Sequence, residues 1–142
     1  KIAPLGFRSP LCVSGSTLYY GAKVASGSTG DWYSIYRLST VNTLGIQVAP
    51  FSSPLGALPA RTNGNAGSEV PLHIVANPTS AKVFVRGDHL FAFNTTTAAR
   101  SVVQPGVAPS TAPIKSDLFT YNGYIYFAAD YTGQGAELYK VQ

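Results

Sequence analysis

The chain has 142 residues, enough for one compact domain with its own core. Charged residues make up only 11% of it, and the Lys and Arg residues behind its net charge of +4 are scattered, which argues against a nucleic-acid binder. No stretch approaches the ~20 consecutive apolar residues that a membrane-spanning helix needs, so we expect no membrane span.

Local patterning predicts an all-β chain. Gly and Pro number 14 and 10, and no long stretch carries apolar residues at helical spacing. Short runs of β-branched and aromatic residues, bounded by turn residues, are typical of strands instead. Comparing these runs with one another indicates three copies of a single unit, so we predict a single all-β repeat domain over residues 1–142.

The first unit covers roughly residues 10–50. Its predicted strands are an innermost one at 11–13, a second at 18–23 and a third at 35–38. The second and third are defined by an aliphatic residue followed by an aromatic one. An outer segment at 48–50 ends in proline, which lacks a backbone donor and therefore suits an edge strand.

The second unit covers roughly residues 51–109 and repeats the same order. An insertion at 61–70 interrupts it, and its Gly and Asn content predicts a flexible surface loop. The innermost, second, third and outer segments are predicted at residues 72–75, 83–88, 90–93 and 107–109.

The third unit covers residues 110–142, with strands predicted at residues 118–121, 125–130 and 138–141. Its outer segment is missing, whereas residues 2–4 match the outer segments of the other two units. We therefore expect residues 1–9, from the same chain or from another copy, to complete this unit.

The run NGYIYFAAD at residues 122–130, followed by ELYKV at 137–141, resembles the repeats of bacterial extracellular β-propeller proteins. In those repeats an NG-x-[LI]-[YF]-F strand precedes an ELW or LY strand. The resemblance implies about three four-stranded antiparallel propeller-type blades, and it carries no activity with it. A β-sandwich or jelly roll would also show many short strands and stays open as an alternative.

Two loops at equivalent places carry candidate ligand-binding residues. Asp31, Trp32 and Tyr33 end a Gly/Ser-rich loop of the first unit, and Asp130 and Tyr131 begin the matching loop of the third. Sugar rings stack on aromatic faces while carboxylates accept their hydroxyl groups. These five residues are therefore predicted to contact a ligand, with packing beneath the loops as the competing interpretation.

Catalytic and metal-binding patterns are not recognisable, and no catalytic residue, metal or cofactor is predicted. Cys12 lies between apolar residues and reads as a buried, unreactive thiol. His73 and His89 are isolated, and no two carboxylates are paired by the sequence as a glycosidase would need. Asn94 begins an Asn-Thr-Thr acceptor, which would be glycosylated in a eukaryotic secretory protein.

These observations favour a non-enzymatic binding, adhesion or structural assembly module, secreted or on the cell surface. A carbohydrate-binding lectin and a propeller segment of a secreted hydrolase are the alternatives. Three blades cannot close a ring of four to eight, and the chain begins at Lys1 without any Met. We therefore expect a processed or excised form that self-associates into a ring or filament, or packs on other parts of a longer precursor. A glycan is a further expected partner.

Overall fold

A computed structural model describes residues 10–28, 30–38, 52–105 and 112–142. Within these ranges the chain forms strands and connecting turns, with no helix, which confirms the all-β prediction. None of the described residues forms a helix long and apolar enough to cross a membrane. The strands are β1 (Leu11–Ser14), β2 (Thr17–Gly27), β3 (Gly30–Leu38), β4 (Ser52–Ala57), β5 (His73–Asn77), β6 (Lys82–Arg86), β7 (Leu90–Asn94), β8 (Arg100–Val102), β9 (Phe119–Tyr121), β10 (Tyr124–Ala129) and β11 (Glu137–Val141).

The strands form three antiparallel sheets in which consecutive strands are neighbours. The first sheet has the order β1-β2-β3-β4, the middle sheet β5-β6-β7-β8 and the third sheet β9-β10-β11. The three innermost, three second and three third strands predicted from the repeat coincide with strands of these sheets. Among the described residues the sheets remain three separate units, and no sheet closes on itself.

The fourth strands differ from the prediction. The first sheet ends with β4 and the middle sheet with β8, whereas the proline-marked segments at residues 2–4, 48–50 and 107–109 lie outside the described residues. The first sheet thus extends beyond residue 50, where the first unit was predicted to end. β4 does contain a proline, as expected for an edge strand. Pro54 pairs with Tyr36, next to the point where the register between β3 and β4 shifts.

Tight turns set the register of each hairpin. Asn122 and Gly123, with φ of 49° and 79°, form the two-residue connection between β9 and β10. Positive φ at both positions is what a type I′ turn requires, and Asn-Gly is its preferred sequence. β2 and β3 instead form a long hairpin that pairs as far as Gly27 and Gly30, with a bulge after Lys23.

The middle sheet is buried on both faces. Its side chains alternate between two hydrophobic clusters, as the two-residue period of a strand dictates. One cluster joins it to the first sheet and the other to the third, and β5 lies against both β1 and β9. Val83, Val85, Phe91 and Phe93 face the first sheet, whereas Phe84, Leu90 and Ala92 face the third.

The two terminal sheets each leave one apolar face open. On the first sheet this leading face carries Leu11 and Val13, which are 62% and 66% exposed. On the third sheet the trailing face carries Phe119, Tyr121 and Leu138, which are exposed by 64%, 64% and 75%. The stack therefore ends on both sides in apolar surface, which is unusual for an isolated domain.

Candidate functional site

The loop edge of the three sheets, formed by the β2–β3, β6–β7 and β10–β11 connections, is held together by the linkers that precede β5 and β9. The Ser68 backbone N donates to the Asp31 carbonyl at 3.0 Å, and the Ile114 N donates to the Asp88 carbonyl at 3.3 Å. Each linker therefore hydrogen-bonds back to the preceding sheet. The Asp130 N in turn donates to the Pro113 carbonyl at 2.8 Å. All the candidate ligand-binding residues lie along this edge.

Asp31 and Trp32 are consecutive residues of β3, so their side chains project toward opposite faces of the hairpin; Asp31 is half-buried and Trp32 is exposed. The Ser26 hydroxyl donates to Asp31 Oδ1 at 2.6 Å, and the Lys23 ammonium lies 3.5 Å away. The Ser26 hydrogen bond, together with the charge of Lys23, lowers the pKa of Asp31. Trp32 is 38% exposed, whereas Tyr33 is buried in the core between the first and middle sheets. Most of Tyr33 thus packs in this core while its hydroxyl hydrogen-bonds to Asp31, and its predicted ligand contact stays a prediction.

Asp130 and Tyr131 make contacts within the protein that shape the loop after β10 and the core beside the third sheet. Asp130 Oδ1 accepts a hydrogen bond from the Gly133 N at 2.7 Å, which shapes the loop. Tyr131 is buried, stands edge-on to Tyr139 with ring centroids 5.1 Å apart, and donates its hydroxyl to the Val103 carbonyl at 2.9 Å. Burial raises the pKa of Tyr131 to about 12. Tyr131 is only 5% exposed but borders a cavity of about 230 Å³ together with Val103 and Tyr139, and its predicted ligand contact stays a prediction.

The structure does not bring the two predicted groups into one site. Tyr33 belongs to the cluster between the first and middle sheets, and Tyr131 to the cluster between the middle and third sheets. The middle sheet separates them. Of the five predicted residues, Trp32 is exposed, Asp31 and Asp130 are half-buried, and Tyr33 and Tyr131 are buried.

A buried carboxylate that sequence reasoning missed organises the centre of the loop edge. Glu69 is only 1% exposed. Its Oε1 lies 2.7 Å from His89 Nδ1, and its Oε2 accepts a hydrogen bond from the Asp88 N at 2.6 Å. Both oxygens are thus occupied, as a buried carboxylate requires. Nδ1 of His89 is thus taken up by the carboxylate, which leaves Nε2 as the ring nitrogen available to another partner.

The insertion at residues 61–70 was predicted to be a surface loop, but only its first half is exposed and its second half is largely buried. Ser68 and Glu69 are buried, and the Ser68 hydroxyl accepts a hydrogen bond from the Tyr33 backbone N at 2.8 Å. Gly67, with φ of 94°, lies against the Asp31 backbone, where a Cβ atom would clash. The part that precedes Gly67 remains exposed.

Charges beside this carboxylate are paired. Asp88 Oδ2 accepts a hydrogen bond from Asn63 Nδ2 at 3.2 Å and lies 3.8 Å from Arg61 Nε. The exposed half of the insertion therefore folds over the β6–β7 connection. Asp88 and Arg61 offset each other, which leaves Glu69 and His89 as the central ionisable pair.

A cavity of about 250 Å³ opens next to Glu69 and His89. Among the described residues, His89 Nε2 has no hydrogen-bond partner. Thr62 and Gln104 supply further polar groups. The rest of the wall is apolar and consists of Pro59, Ala60, Phe91 and Val102.

No sequence signal pairs Glu69 with His89, because 20 residues separate them and their contact depends on how a linker crosses a turn. Glu69 lies in a segment of loop-like composition, and His89 lies in a tight turn. The one available hint is the apolar flank of Glu69, where Val70 and Pro71 lead directly into the innermost strand.

The other residues singled out from the sequence have local roles. Cys12 packs against the hydrophobic cluster between the first and middle sheets. Burial raises the pKa of its thiol to about 12, as expected of an unreactive apolar side chain. His73 Nδ1 accepts a hydrogen bond from the Leu118 N at 2.9 Å. Asn94 Oδ1 accepts from the Thr96 and Thr97 backbone N atoms, so this side chain caps the turn after β7.

Across residues 10–28, 30–38, 52–105 and 112–142 no group of three or more His, Cys, Asp and Glu residues is arranged to hold a metal ion. Comparison of the chain with protein-family models, with curated proteins and with solved structures found no significant match.

Proposed function

We propose that the three sheets are blades of a β-propeller-type repeat and that the protein is a non-enzymatic, extracellular assembly module. Two features support this architecture. Each sheet is a meander of neighbouring antiparallel strands, and the innermost strands β1, β5 and β9 lie next to one another where the sheets stack. Such radial stacking of meanders is how propeller blades pack.

One matched pair of residues carries the assembly proposal. Leu90 of β7 is 0% exposed because the third sheet covers it, whereas Leu138, at the same repeat position in β11, is 75% exposed. The trailing face is thus a third copy of a surface that the chain already buries twice. Beside it lies a groove of about 460 Å³ lined by Phe119, Tyr126 and Leu138.

The occupant that continues this packing is the leading face of a second copy. In that arrangement Leu11 and Val13 of one copy contact Phe119 and Leu138 of the next, just as the middle sheet contacts the third. The contact is head-to-tail, so it closes into a ring or extends into a filament. Two copies would supply six blades, within the range of four to eight that propellers use.

Single lysine substitutions on each open face test this proposal. Leu138→Lys and Leu11→Lys each block one side of the contact and should reduce the mass measured by sedimentation equilibrium to that of the monomer. Because each variant keeps the opposite face intact, an equimolar mixture should form a heterodimer that cannot grow. Leu72→Lys places the same charge at an exposed leucine just before β5, outside both open faces, and should assemble like the wild type.

The outcomes separate the alternatives. A monomeric wild-type chain at micromolar concentration rejects self-association, and so does assembly that survives both substitutions. Failure of the mixture to form a heterodimer rejects the head-to-tail geometry. Recovery of the heterodimer, with Leu72→Lys unaffected, supports it.

Carbohydrate binding is a second candidate, supported by Trp32. The indole is 38% exposed and offers an apolar ring face on which a sugar ring can stack. On a glycan array Trp32→Ala should abolish a signal that the wild type gives. Val24→Ala, an exposed apolar residue on the adjacent strand, is the matched control. A signal equal in both variants rejects this site.

A further inference from the structure

The cavity beside Glu69 and His89 is independent of both surfaces just described. It lies between the linker that precedes β5 and the start of β7, and it shares no lining residue with the trailing-face groove. Neither Asp31 nor Trp32 lines it. The residues that line this cavity therefore determine which ligand it can bind.

Two polar groups of the cavity, Glu69 and His89, are held in place by hydrogen bonds within the protein. Glu69 holds His89 through Nδ1 at 2.7 Å, and the Asp88 N holds Glu69 in turn at 2.6 Å. The imidazole consequently presents Nε2 in a set orientation. A group held by its own hydrogen bonds costs little to order on binding, which favours affinity for a small ligand.

The charges disfavour an ionic ligand. A ligand with a carboxylate or phosphate group would come close to the buried Glu69 carboxylate. Among the described residues, no lysine or arginine lines the cavity to offset that negative charge. A cation would need a carboxylate oxygen without a partner, yet the two Glu69 oxygens are held by His89 and by the Asp88 N, and Asp88 Oδ2 lies against Asn63 and Arg61. The electrostatics therefore favour a neutral ligand that carries hydroxyl groups for the imidazole, Thr62 and Gln104.

The volume of the cavity and the residues that line it restrict the class of ligand further. A volume of about 250 Å³ lies below the roughly 300–1,000 Å³ of sites for drug-sized ligands, so one ring fits. Pro59 and Val102 offer aliphatic walls to the C–H face of such a ring. Phe91 is only 1% exposed, which leaves no broad aromatic face on which a nucleobase could stack.

We infer that this cavity is a binding site for a single neutral sugar ring, recognised through a hydrogen bond between a ring hydroxyl and His89 Nε2 and through contacts with Thr62 and Gln104. The inference shares its ligand class with the second candidate function but places the ring at a different site. It does not require the assembly.

A titration followed by NMR tests the site on the full chain. The neutral probes are glucose, galactose, mannose, N-acetylglucosamine and myo-inositol. The comparison compounds are glucuronate, glucosamine and uridine. At least one neutral probe should shift the His89 ring signals in a saturable way at concentrations up to about 10 mM, well above a Kd of about 1 mM. The His73 ring, held by Leu118 outside the cavity, should not respond.

Exposed glutamines provide matched variants that leave the core intact. Gln104→Ala removes one rim hydrogen bond and should weaken binding about three- to tenfold, whereas Gln134→Ala in the β10–β11 connection should leave it unchanged. His89→Gln, checked for folding by circular dichroism, should abolish binding.

Four results would overturn the inference: no saturable His89 shift with any neutral probe, a shift with glucuronate, glucosamine or uridine alone, equal affinity in Gln104→Ala and the wild type, or binding that survives His89→Gln. Loss of the signal in Trp32→Ala instead would assign the sugar to the other site. Because the readout is the His89 ring and not particle mass, failure here is distinct from failure of the assembly.

Discussion

The middle and third sheets are built from the same strand pattern but differ in how many of their faces are covered. In the middle sheet both faces are buried, and Leu90 is 0% exposed. In the third sheet the face toward the middle sheet is buried, whereas Leu138, at the position equivalent to Leu90, is 75% exposed. The repeat therefore determines which way a side chain points, and the neighbouring sheet determines whether that side chain is buried.

The largest expected effect comes from truncating this leucine in each sheet. Leu90→Ala should lower the free energy of unfolding by about 3 kcal/mol, because it removes a fully buried side chain and leaves a cavity. Leu138→Ala should change it by less than about 0.5 kcal/mol at protein concentrations where the chain is monomeric. Urea unfolding of both variants measures the difference. Equal losses would mean that the two sheets are covered alike.

Two glycines extend the comparison to the connections. Gly67 lies in the linker to the middle sheet with φ of 94° and against the Asp31 backbone, whereas Gly133 in the third sheet has φ of 76° and open space around it. Gly133→Ala should cost about 1 kcal/mol from backbone strain alone, and Gly67→Ala about 3 kcal/mol because the clash is added. Thermal unfolding of the two variants would show the gap, and identical values would contradict the tight linker contact.

A buried glutamate beside the middle sheet and an exposed one in the third sheet should differ in the same direction, by a smaller amount. Glu69→Ala should lower stability by about 2 kcal/mol, because it removes the buried acceptor of the His89 ring and of the Asp88 N. Glu137→Ala in the third sheet removes an exposed carboxylate that accepts from the Tyr139 hydroxyl, and should stay within about 0.5 kcal/mol. Chemical denaturation distinguishes them, and a mild Glu69→Ala would show that the buried pair contributes little.

The smallest expected effect concerns the two cores that flank the middle sheet. Burial raises the pKa of Cys12 from 9.0 and that of Tyr131 from 10.0, each to about 12. Above these ordinary values the unfolded chain loses protons that the folded chain keeps, so stability should fall as pH rises from 9 towards 12.

Cys12→Ala tests this directly. It should cost about 1 kcal/mol near neutral pH and remove the part of the decline that begins near pH 9, leaving the part due to Tyr131. Stability measured against pH in both proteins would show this. An unchanged decline in the variant would mean that the thiol does not contribute.

The innermost, second and third strands were predictable because burial between sheets imposes an aliphatic and aromatic pattern on them. The fourth strands were not. β4 reads Ser-Ser-Pro-Leu-Gly-Ala and β8 reads Arg-Ser-Val, and these edge strands carry too few buried side chains to show a period. The predicted outer segments at residues 2–4, 48–50 and 107–109 lie outside the described residues, whereas Pro54 of β4 lies on an edge strand, as proline chemistry favours.

The candidate site was less predictable than the fold. Composition placed Asp31, Trp32 and Tyr33 at the end of a Gly/Ser-rich loop, whereas all three lie on β3 and Tyr33 points into the core. The burial of Tyr131, which lies just after β10, was not predictable because a connection has no fixed period. The contact between Glu69 and His89 depends on a linker that folds across a turn, which no local pattern encodes. Buried polar pairs between distant segments are in general visible only once the fold is known.

The backward hydrogen bonds of the linkers have a consequence for how such a chain can be duplicated or recombined. The donor for the Asp31 carbonyl is the Ser68 N, and the donor for the Asp88 carbonyl is the Ile114 N, so the first and middle sheets each receive a hydrogen bond from residues that follow them in the chain. A crossover placed directly after β4 or β8 would separate these partners. The transplantable unit is therefore offset from the sheet: it runs through the next linker and ends at the start of the following innermost strand.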